Sequence, residues 1–235
     1  MVTNYLAPTA TELEREWGLA PDADWPADVT RGDEAPIIRR FGVGAAAQRE
    51  VVLARFGFLP ASAKSEQLAR SPLNARAEIV ASRSTFKAAY AERHWCIIPA
   101  LALYVPRYGA DGQSQRWRIR RVDRAPLAIA GIWDRWIGPG GRTVVSFAML
   151  TINCDLHPLL SGFDRAVDDH GEPVEKRTPV LLGEEDFDAW LDASPGRAPI
   201  YFGTFGKDDL EAEPASTSER RTTRAMGLHG ALSTL

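Results

Sequence analysis

Short apolar stretches separated by proline and glycine dominate residues 95–152, and this pattern restricts the fold more than any other feature. Stretches of this length that are rich in β-branched and aromatic residues and end at turn formers are typical of β-strands. Residues 36–38 and 51–54 indicate two further strands around a glycine- and alanine-rich turn. Helices are predicted at residues 9–18, 82–92 and 184–191. The sequence therefore predicts an α+β fold: a single domain built on a mainly antiparallel, barrel-like β-sheet with flanking helices.

The net charge gives no sign of a strongly basic surface. The 235 residues carry a formal net charge of −3 and the sequence pI is about 5.9, so a nucleic-acid partner would have to be met by a local patch. No stretch approaches the roughly 18 apolar residues of a membrane helix, and residues 1–5 do not resemble a signal peptide. We therefore expect a cytoplasmic protein that makes no membrane contact.

Two histidines and two cysteines raise the question of a metal site. His94, Cys96, Cys154 and His157 together offer the ligand types that zinc prefers. However, Cys96 lies in an apolar stretch, where a packing role is expected, and His157 is expected to be a hydrogen-bonded structural residue. Two cysteines are also too few for a disulfide scaffold. We therefore expect neither a metal nor a cofactor.

The C-terminal part of the chain is polar. Apolar residues become sparse beyond Gly206 and are nearly absent from residues 216–224, which predicts a domain over residues 1–205 and a tail over 206–235. Leu228 or Leu232 could anchor the end of this tail on the domain or on a neighbouring copy, which would give a homo-oligomer. A tail lying in the cleft near Asn74 would instead be autoinhibitory.

Ordered motifs along the chain resemble one protein family. They are Leu73–Glu78 (LNARAE), Trp95–Ala100 (WCIIPA), Ala128–Trp133 (AIAGIW), Met149–Asn153 (MLTIN), His157–Leu160 (HPLL) and Glu175–Val180 (EKRTPV). Their order and spacing resemble the SRAP family, the SOS-response-associated peptidases, which shield abasic sites in single-stranded DNA. The resemblance implies an SRAP-like fold, a role in the DNA damage or SOS response, and single-stranded or abasic DNA as the partner.

The resemblance also shows which catalytic positions have changed. Family members carry a cysteine after the initiator methionine, and its amine and thiol close a thiazolidine ring on the abasic aldehyde; here that position is Val2. The family's acid/base glutamate corresponds to Val105. The family's histidine corresponds to Asp164, although His170 is an alternative. Only Asn74 is retained. Because an alkyl group cannot close the ring, the resemblance predicts a pseudoenzyme without cross-linking or self-processing peptidase chemistry.

DNA binding does not require the catalytic groups that are lost, so the family's DNA-binding positions are considered separately. The resemblance places Arg76, Thr151 and Asn153 at contacts with the DNA backbone, and Phe56 where an aromatic side chain can stack on a base. In addition, strand alternation puts three arginines on one face, where they could follow phosphates: Arg116, Arg118 and Arg120. The alternatives are a core position for Phe56, strand-end capping for Asn74 and Arg76, and a solvated outer face for the arginines.

Three functional hypotheses follow. The first is a catalytically silent SRAP homologue that still binds single-stranded or abasic DNA. The second is a protein- or peptide-interaction module that reuses a cleft made apolar by Val2 and Val105. The third is a rewired enzyme, either a peptidase or a weak imine-forming lyase that uses the α-amine of Val2. A positive groove at Asn74 would favour the first hypothesis, and a closed apolar cleft would favour the second.

Overall fold

The chain is described by a computed structural model over residues 2–19, 21–42, 48–66, 71–109, 111–165, 167–168 and 170–215. Five antiparallel strands form the first sheet, in the order β12-β8-β7-β1-β2: β1 (Asn4–Leu6), β2 (Asp28–Val29), β7 (Ala102–Tyr108), β8 (Ser114–Arg121) and β12 (Leu210–Pro214). Seven strands form the second sheet: β3 (Glu34–Phe41), β4 (Gln48–Phe56), β5 (Asn74–Arg76), β6 (Trp95–Ala100), β9 (Leu127–Ile137), β10 (Thr143–Asn153) and β11 (Arg177–Pro179).

The second sheet closes on itself. Strands β10, β4, β3, β6 and β9 follow one another around a ring, because β9 pairs back onto β10 in antiparallel register. Only β4 and β5 run parallel to β10 among the strands of this sheet that the structure describes. The predicted α+β, barrel-like and mainly antiparallel fold is therefore confirmed.

The helices are short: α1 (Ala10–Trp17), α2 (Lys87–Ala91) and α3 (Phe187–Leu191), with 3₁₀ turns at Pro139–Gly141, Leu160–Gly162, Glu184–Asp186 and Ala198–Tyr201. Thr9 caps α1, since its side chain accepts a hydrogen bond from the Glu12 backbone while the Glu12 carboxylate accepts one from Thr9. Gly18 ends α1 in the left-handed conformation. The helix predicted at residues 82–92 is shorter, because Ser82, Ser84 and Thr85 favour turns.

The core lies on both sides of the barrel wall, since successive strand residues face opposite ways. Ile37 belongs to the cluster that includes residues of the first sheet, whereas Ile38 belongs to the cluster that includes residues of α2 and α3. Gly131 lets three strands approach closely, because a Cβ there would lie 2.7 Å from the Cys96 Sγ and 3.2 Å from the Ala148 carbonyl oxygen. No helix in the described part of the chain is long and apolar enough to cross a membrane.

The structure moves the predicted boundary of the domain. Residues 210–214 form β12 at the edge of the first sheet, and Leu210 is buried in the core. The polar composition of this segment misled the prediction, because its glutamates pair with arginines of β8. The predicted tail cannot begin at residue 206. The anchors predicted at Leu228 and Leu232 lie outside the described residues.

Candidate functional site

The positions to which the resemblance assigns the family's catalytic groups lie close together. Val2, Val105 and Asp164 line a cavity of about 20 Å³, which is room for about one water molecule. The Asn74 side chain lies beside it and donates a hydrogen bond of 2.8 Å to the Val2 carbonyl oxygen. We call this space the inner cavity; its other lining residues are Leu103, Ile119, Leu160, Phe163, Lys176, Arg177, Thr178 and Pro179.

Alkyl groups line the inner cavity at two of the assigned positions. Val2 is buried in the core and Val105 packs against the same cluster, so alkyl groups fill the space at both positions. Asp164, which the resemblance assigns to the position of the family's histidine, lines the cavity, whereas His170, the alternative, is exposed and is not among the lining residues. In its described lining there is no thiol and no imidazole.

Lys176 closes one side of the inner cavity, a role that motif reasoning did not find. Its Nζ donates to the carbonyl oxygens of Phe163, Asp164 and Arg165 at 2.8, 2.7 and 2.7 Å. Burial lowers the pKa of Lys176, although the neighbouring Cys154 and Asp155 oppose the shift. Three carbonyl partners satisfy all three donors of an ammonium group. Lys176 therefore holds the turn that carries Asp164.

Arg177 connects three motifs from inside the protein. Its side chain is 3% exposed and donates to Glu78 and Glu175, each at 2.6 Å. It also donates to the carbonyl and hydroxyl oxygens of Thr151, at 2.6 and 3.2 Å. Thr151 is buried and satisfied by this contact, so its side chain is structural rather than available to DNA as predicted. The EKR motif contained this arginine, but motif matching assigned it no role.

Glu78 illustrates the electrostatics of this network. Partial burial raises the pKa of Glu78, but the hydrogen bond from Arg177 and further donors outweigh it, so the pKa lies below its usual range. Asn153 is exposed beside the network and donates to Asp155 and Glu175 at 2.8 and 3.2 Å. The amide of Asn153 is thus held by carboxylates on the protein surface.

Arg76 and Asn74 lie at the edge of an open groove of about 490 Å³. Arg76 is 52% exposed and contacts Glu175 at 3.2 Å, and Arg83 is exposed as well. No carboxylate belongs to the described lining of this groove. We call it the cationic groove; it is lined by Pro72, Asn74, Arg76, Ile79, Arg83, Ser84, Thr85 and Phe86. Arg83 had not been predicted, because it lies outside the motif that contains Asn74 and Arg76.

Phe56 belongs to the core, which was the alternative to its predicted contact with a base. It is fully buried at the end of β4. Its ring stacks on Phe147 at a centroid distance of 5.2 Å and meets Tyr5 edge-on at 5.6 Å. Because its neighbours cover the ring, no base can stack on Phe56 in this structure.

The predicted arginine face of β8 is neutralised by its neighbours. Arg116 pairs with Asp28 at 2.7 Å, and Arg118 and Arg120 each pair with Glu213 at 2.6 Å. Arg120 also pairs with Glu211. Two of these acids come from β12, which sequence analysis had assigned to the tail. The three arginines of this face are therefore engaged in ion pairs with neighbouring acids and do not form a row of free cations for phosphates.

The residues considered for zinc have other roles. His157 donates from Nε2 to the Phe205 carbonyl oxygen at 2.9 Å and accepts at Nδ1 from two backbone N–H groups, which confirms its structural role. Both cysteines are buried thiols that form no disulfide. The pKa of Cys154 is raised to about 11, and burial is the largest cause of this shift. Within the described residues, no group of three or more histidines, cysteines and acids could hold a metal ion.

Comparison with known proteins agrees with this arrangement of fold and motifs. The model of the SOS response associated peptidase (SRAP) family matches residues 4–218, and the chain belongs to this family. Among its relatives is the abasic site processing protein YoqW of Bacillus subtilis (strain 168), 25% identical over 166 residues, which are 69% of this chain and 68% of YoqW. YobE of the same strain, also an abasic site processing protein, is 25% identical over 69% of each chain.

Solved structures show the same fold. A crystal structure of a protein from Bordetella bronchiseptica superposes with a TM-score of 0.80 at 32% identity, covering 91% of this chain and 99% of that one. A protein from Bacteroides thetaiotaomicron superposes with a TM-score of 0.73 at 20% identity, covering 92% and 93% of the two chains. The second likeness concerns the fold alone.

Proposed function

We propose that this chain binds single-stranded, abasic-site-containing DNA without forming a covalent bond, as a pseudoenzyme of the DNA damage response. The observation that carries the proposal is the contrast between two neighbouring spaces. The cationic groove is open at Asn74, whereas the inner cavity beyond Asn74 is nearly filled. The chain thus keeps a surface for phosphates while the place for the reacting sugar is closed.

The charges of the groove support binding to a phosphate backbone. Arg76 and Arg83 are exposed cations on the same groove, and Ser84 and Thr85 add hydroxyl donors. A guanidinium group can hold a phosphate through two parallel hydrogen bonds. Glu175 is the carboxylate that a phosphate would displace from Arg76. The ion pair between Glu175 and Arg76 consists of one contact of 3.2 Å at an exposed position, so it is weak enough for a phosphate to replace the carboxylate.

The size of the inner cavity argues against the two other hypotheses, a peptide-interaction module and a rewired enzyme. A cavity that holds about one water admits neither a peptide side chain nor an open-chain sugar. An imine would also hydrolyse unless a second group trapped it, and Val2 has no thiol. Non-covalent binding in the cationic groove requires none of these groups.

Binding and covalent capture can be measured separately. Fluorescence anisotropy with labelled single strands, intact or carrying a tetrahydrofuran abasic analogue, should show binding that weakens as salt increases. Arg76→Ala and Arg83→Ala should each lower the salt slope by about 0.7, the value for one phosphate contact on a single strand.

Arg124→Ala is the matched control, since Arg124 is 56% exposed and, like Arg76, pairs with one glutamate, Glu211. It should leave the salt slope unchanged, because Arg124 does not line the cationic groove. Equal effects of Arg76→Ala and Arg124→Ala would refute the binding site. A denaturation-resistant band with a natural abasic site, formed without a reductant, would refute the non-covalent mechanism.

A further inference from the structure

Two cavities apart from the cationic groove join to form a second groove. The larger has a volume of about 650 Å³ and the smaller about 200 Å³, and Arg121 and Glu184 line both. Among the described lining residues, none is shared with the cationic groove. We call the joined space the acidic groove; its carboxylates are those of Glu16, Asp123, Glu184, Glu185, Asp208 and Asp209.

The negative charge of the acidic groove exceeds the positive charge of its own residues. The described lining holds six carboxylates and two arginines, Arg49 and Arg121. Arg121 is already paired with Asp123 at 2.5 Å. Three exposed carboxylates form no ion pair within the part of the chain that the structure describes: Glu184, Glu185 and Asp208. A cleft lined by charges of one sign attracts ligands of the opposite sign, here cations.

The larger cavity already holds one guanidinium group of the chain itself. Arg121 lies over the Phe205 ring, 5.0 Å from its centroid, and donates to the Asp123 carboxylate at 2.9 Å. The hydrogen bond to Asp123 raises the pKa of Arg121, and the charges of Glu184 and Asp209 raise it further, although burial opposes the shift. A carboxylate and an aromatic ring together therefore stabilise positive charge in this cavity.

The same combination of groups recurs at the smaller cavity. Arg49 lies over the Phe187 ring, 5.6 Å from its centroid, and pairs with Asp188 at 2.9 Å. Phe187 and Arg49 both line this cavity. In both cavities of the acidic groove, an arginine of the chain is thus held by a ring and a carboxylate, which shows the chemistry that these walls accept.

Part of the apolar surface of the acidic groove is open to solvent. Val122 is 50% exposed, and Trp17 and Phe205 are partly exposed. Successive side chains of an extended peptide point to opposite sides. Such a peptide can therefore place cationic side chains against the carboxylates and apolar side chains against these three residues.

We propose that the acidic groove binds a cationic peptide segment of a partner protein, with arginine or lysine side chains among its carboxylates. The larger cavity, at about 650 Å³, lies within the range of ligand sites, about 300–1,000 Å³. Charge complementarity selects this occupant, because a nucleic acid would bring phosphates next to six carboxylates. The inference stands without the proposed function, since the acidic and cationic grooves share no described lining residue.

The probe is a labelled peptide of alternating arginine and leucine residues, and fluorescence anisotropy with the full-length protein measures its binding. The peptide should bind, and binding should weaken as salt increases, whereas a peptide of alternating glutamate and leucine should not bind. Glu184→Gln and Asp208→Asn should each weaken binding about 1.5-fold to 5-fold, the effect of one exposed ion pair. Arg76→Ala should leave peptide binding unchanged, because Arg76 lines only the cationic groove.

Glu172→Gln is the matched control, because Glu172 is exposed and does not line the acidic groove. It should leave peptide binding unchanged, and thermal unfolding should show that every variant is folded. Equal weakening by Glu172→Gln and Glu184→Gln would show that binding follows the overall surface charge, and the acidic groove would be refuted as the site. Absence of peptide binding by the wild-type protein would overturn the proposal as well.

The chain's own C-terminal segment is the competing occupant. Residues 216–224 contain three arginines, Arg220, Arg221 and Arg224. Replacing all three with alanine in the full-length protein should leave the affinity for the peptide unchanged. If the peptide binds only after this replacement, the occupant of the acidic groove is the chain's own segment and not a partner protein.

Discussion

Arg177→Met tests whether the buried arginine organises the site. The substitution keeps a long side chain but removes the charge and every donor of a group that is 3% exposed. It leaves Glu78 and Glu175 without their shared partner and removes two hydrogen bonds to Thr151. The variant therefore removes the side-chain links that join β11 to Thr151 of β10 and to Glu78, two residues after β5, while the backbone pairing of β5 and β11 with β10 remains.

The expected cost follows from these contacts. Breaking a buried ion pair by removing one partner costs about 3–5 kcal/mol. The lower end applies here, because Glu78 and Glu175 are 48% and 31% exposed and water can reach both. The Thr151 carbonyl also keeps a hydrogen bond from the Ala77 N–H at 2.9 Å. We expect a loss of about 3 kcal/mol, which lowers Tm by about 6–12 °C for a domain of this size.

Urea unfolding and thermal melting of Arg177→Met measure this loss. Arg124→Met is the control, since it removes an arginine from an exposed pair, which should cost no more than about 1 kcal/mol. In the same preparations, Arg177→Met should bind single strands more weakly than Arg124→Met, because β5 carries Asn74 and Arg76. A Tm change as small as that of the control would refute the organising role of Arg177.

Three further outcomes are expected. Stability should fall as the pH drops below about 4. The pKa of Glu78 is lower in the folded state than in the unfolded chain, so Glu78 stabilises the fold above its unfolded pKa, and this contribution is lost as the pH falls toward the folded pKa. In Arg177→Met, the urea midpoints at neutral and acidic pH should therefore differ less. Phe56→Ala should lose about 3–5 kcal/mol in urea unfolding, as expected for a buried ring, and a near-neutral result would contradict its core position. Val2→Cys alone should form at most a slowly accumulating adduct on denaturing gels, because Val105 supplies no acid or base, and rapid, complete adduct formation would contradict this reasoning.

Local sequence chemistry was sufficient for part of the fold. The capping pair of Thr9 and Glu12 and the left-handed Gly18 set the limits of α1 without help from distant residues. Strand alternation likewise placed Arg116, Arg118 and Arg120 on one face. Alternation cannot tell what covers that face, because the acids that neutralise it are distant in the sequence: Glu211 and Glu213 follow about 90 residues later in β12, and Asp28 lies 88 residues before Arg116. The same limit explains why the first residues of β12 were assigned to a tail.

For the site, the ordered motifs of the sequence determined the family. The structure places Val2, Val105 and Asp164, the residues that the resemblance assigns to the catalytic positions, in the lining of one cavity. Only the tertiary structure decided that this cavity is almost filled while the groove at Arg76 and Arg83 is open. The physical reason is that residue identity fixes the chemistry of a side chain, whereas free volume and charge pairing depend on neighbours from other strands. A sequence motif can therefore show which residue stands at a given position of the family pattern, but not which surface is open to a ligand.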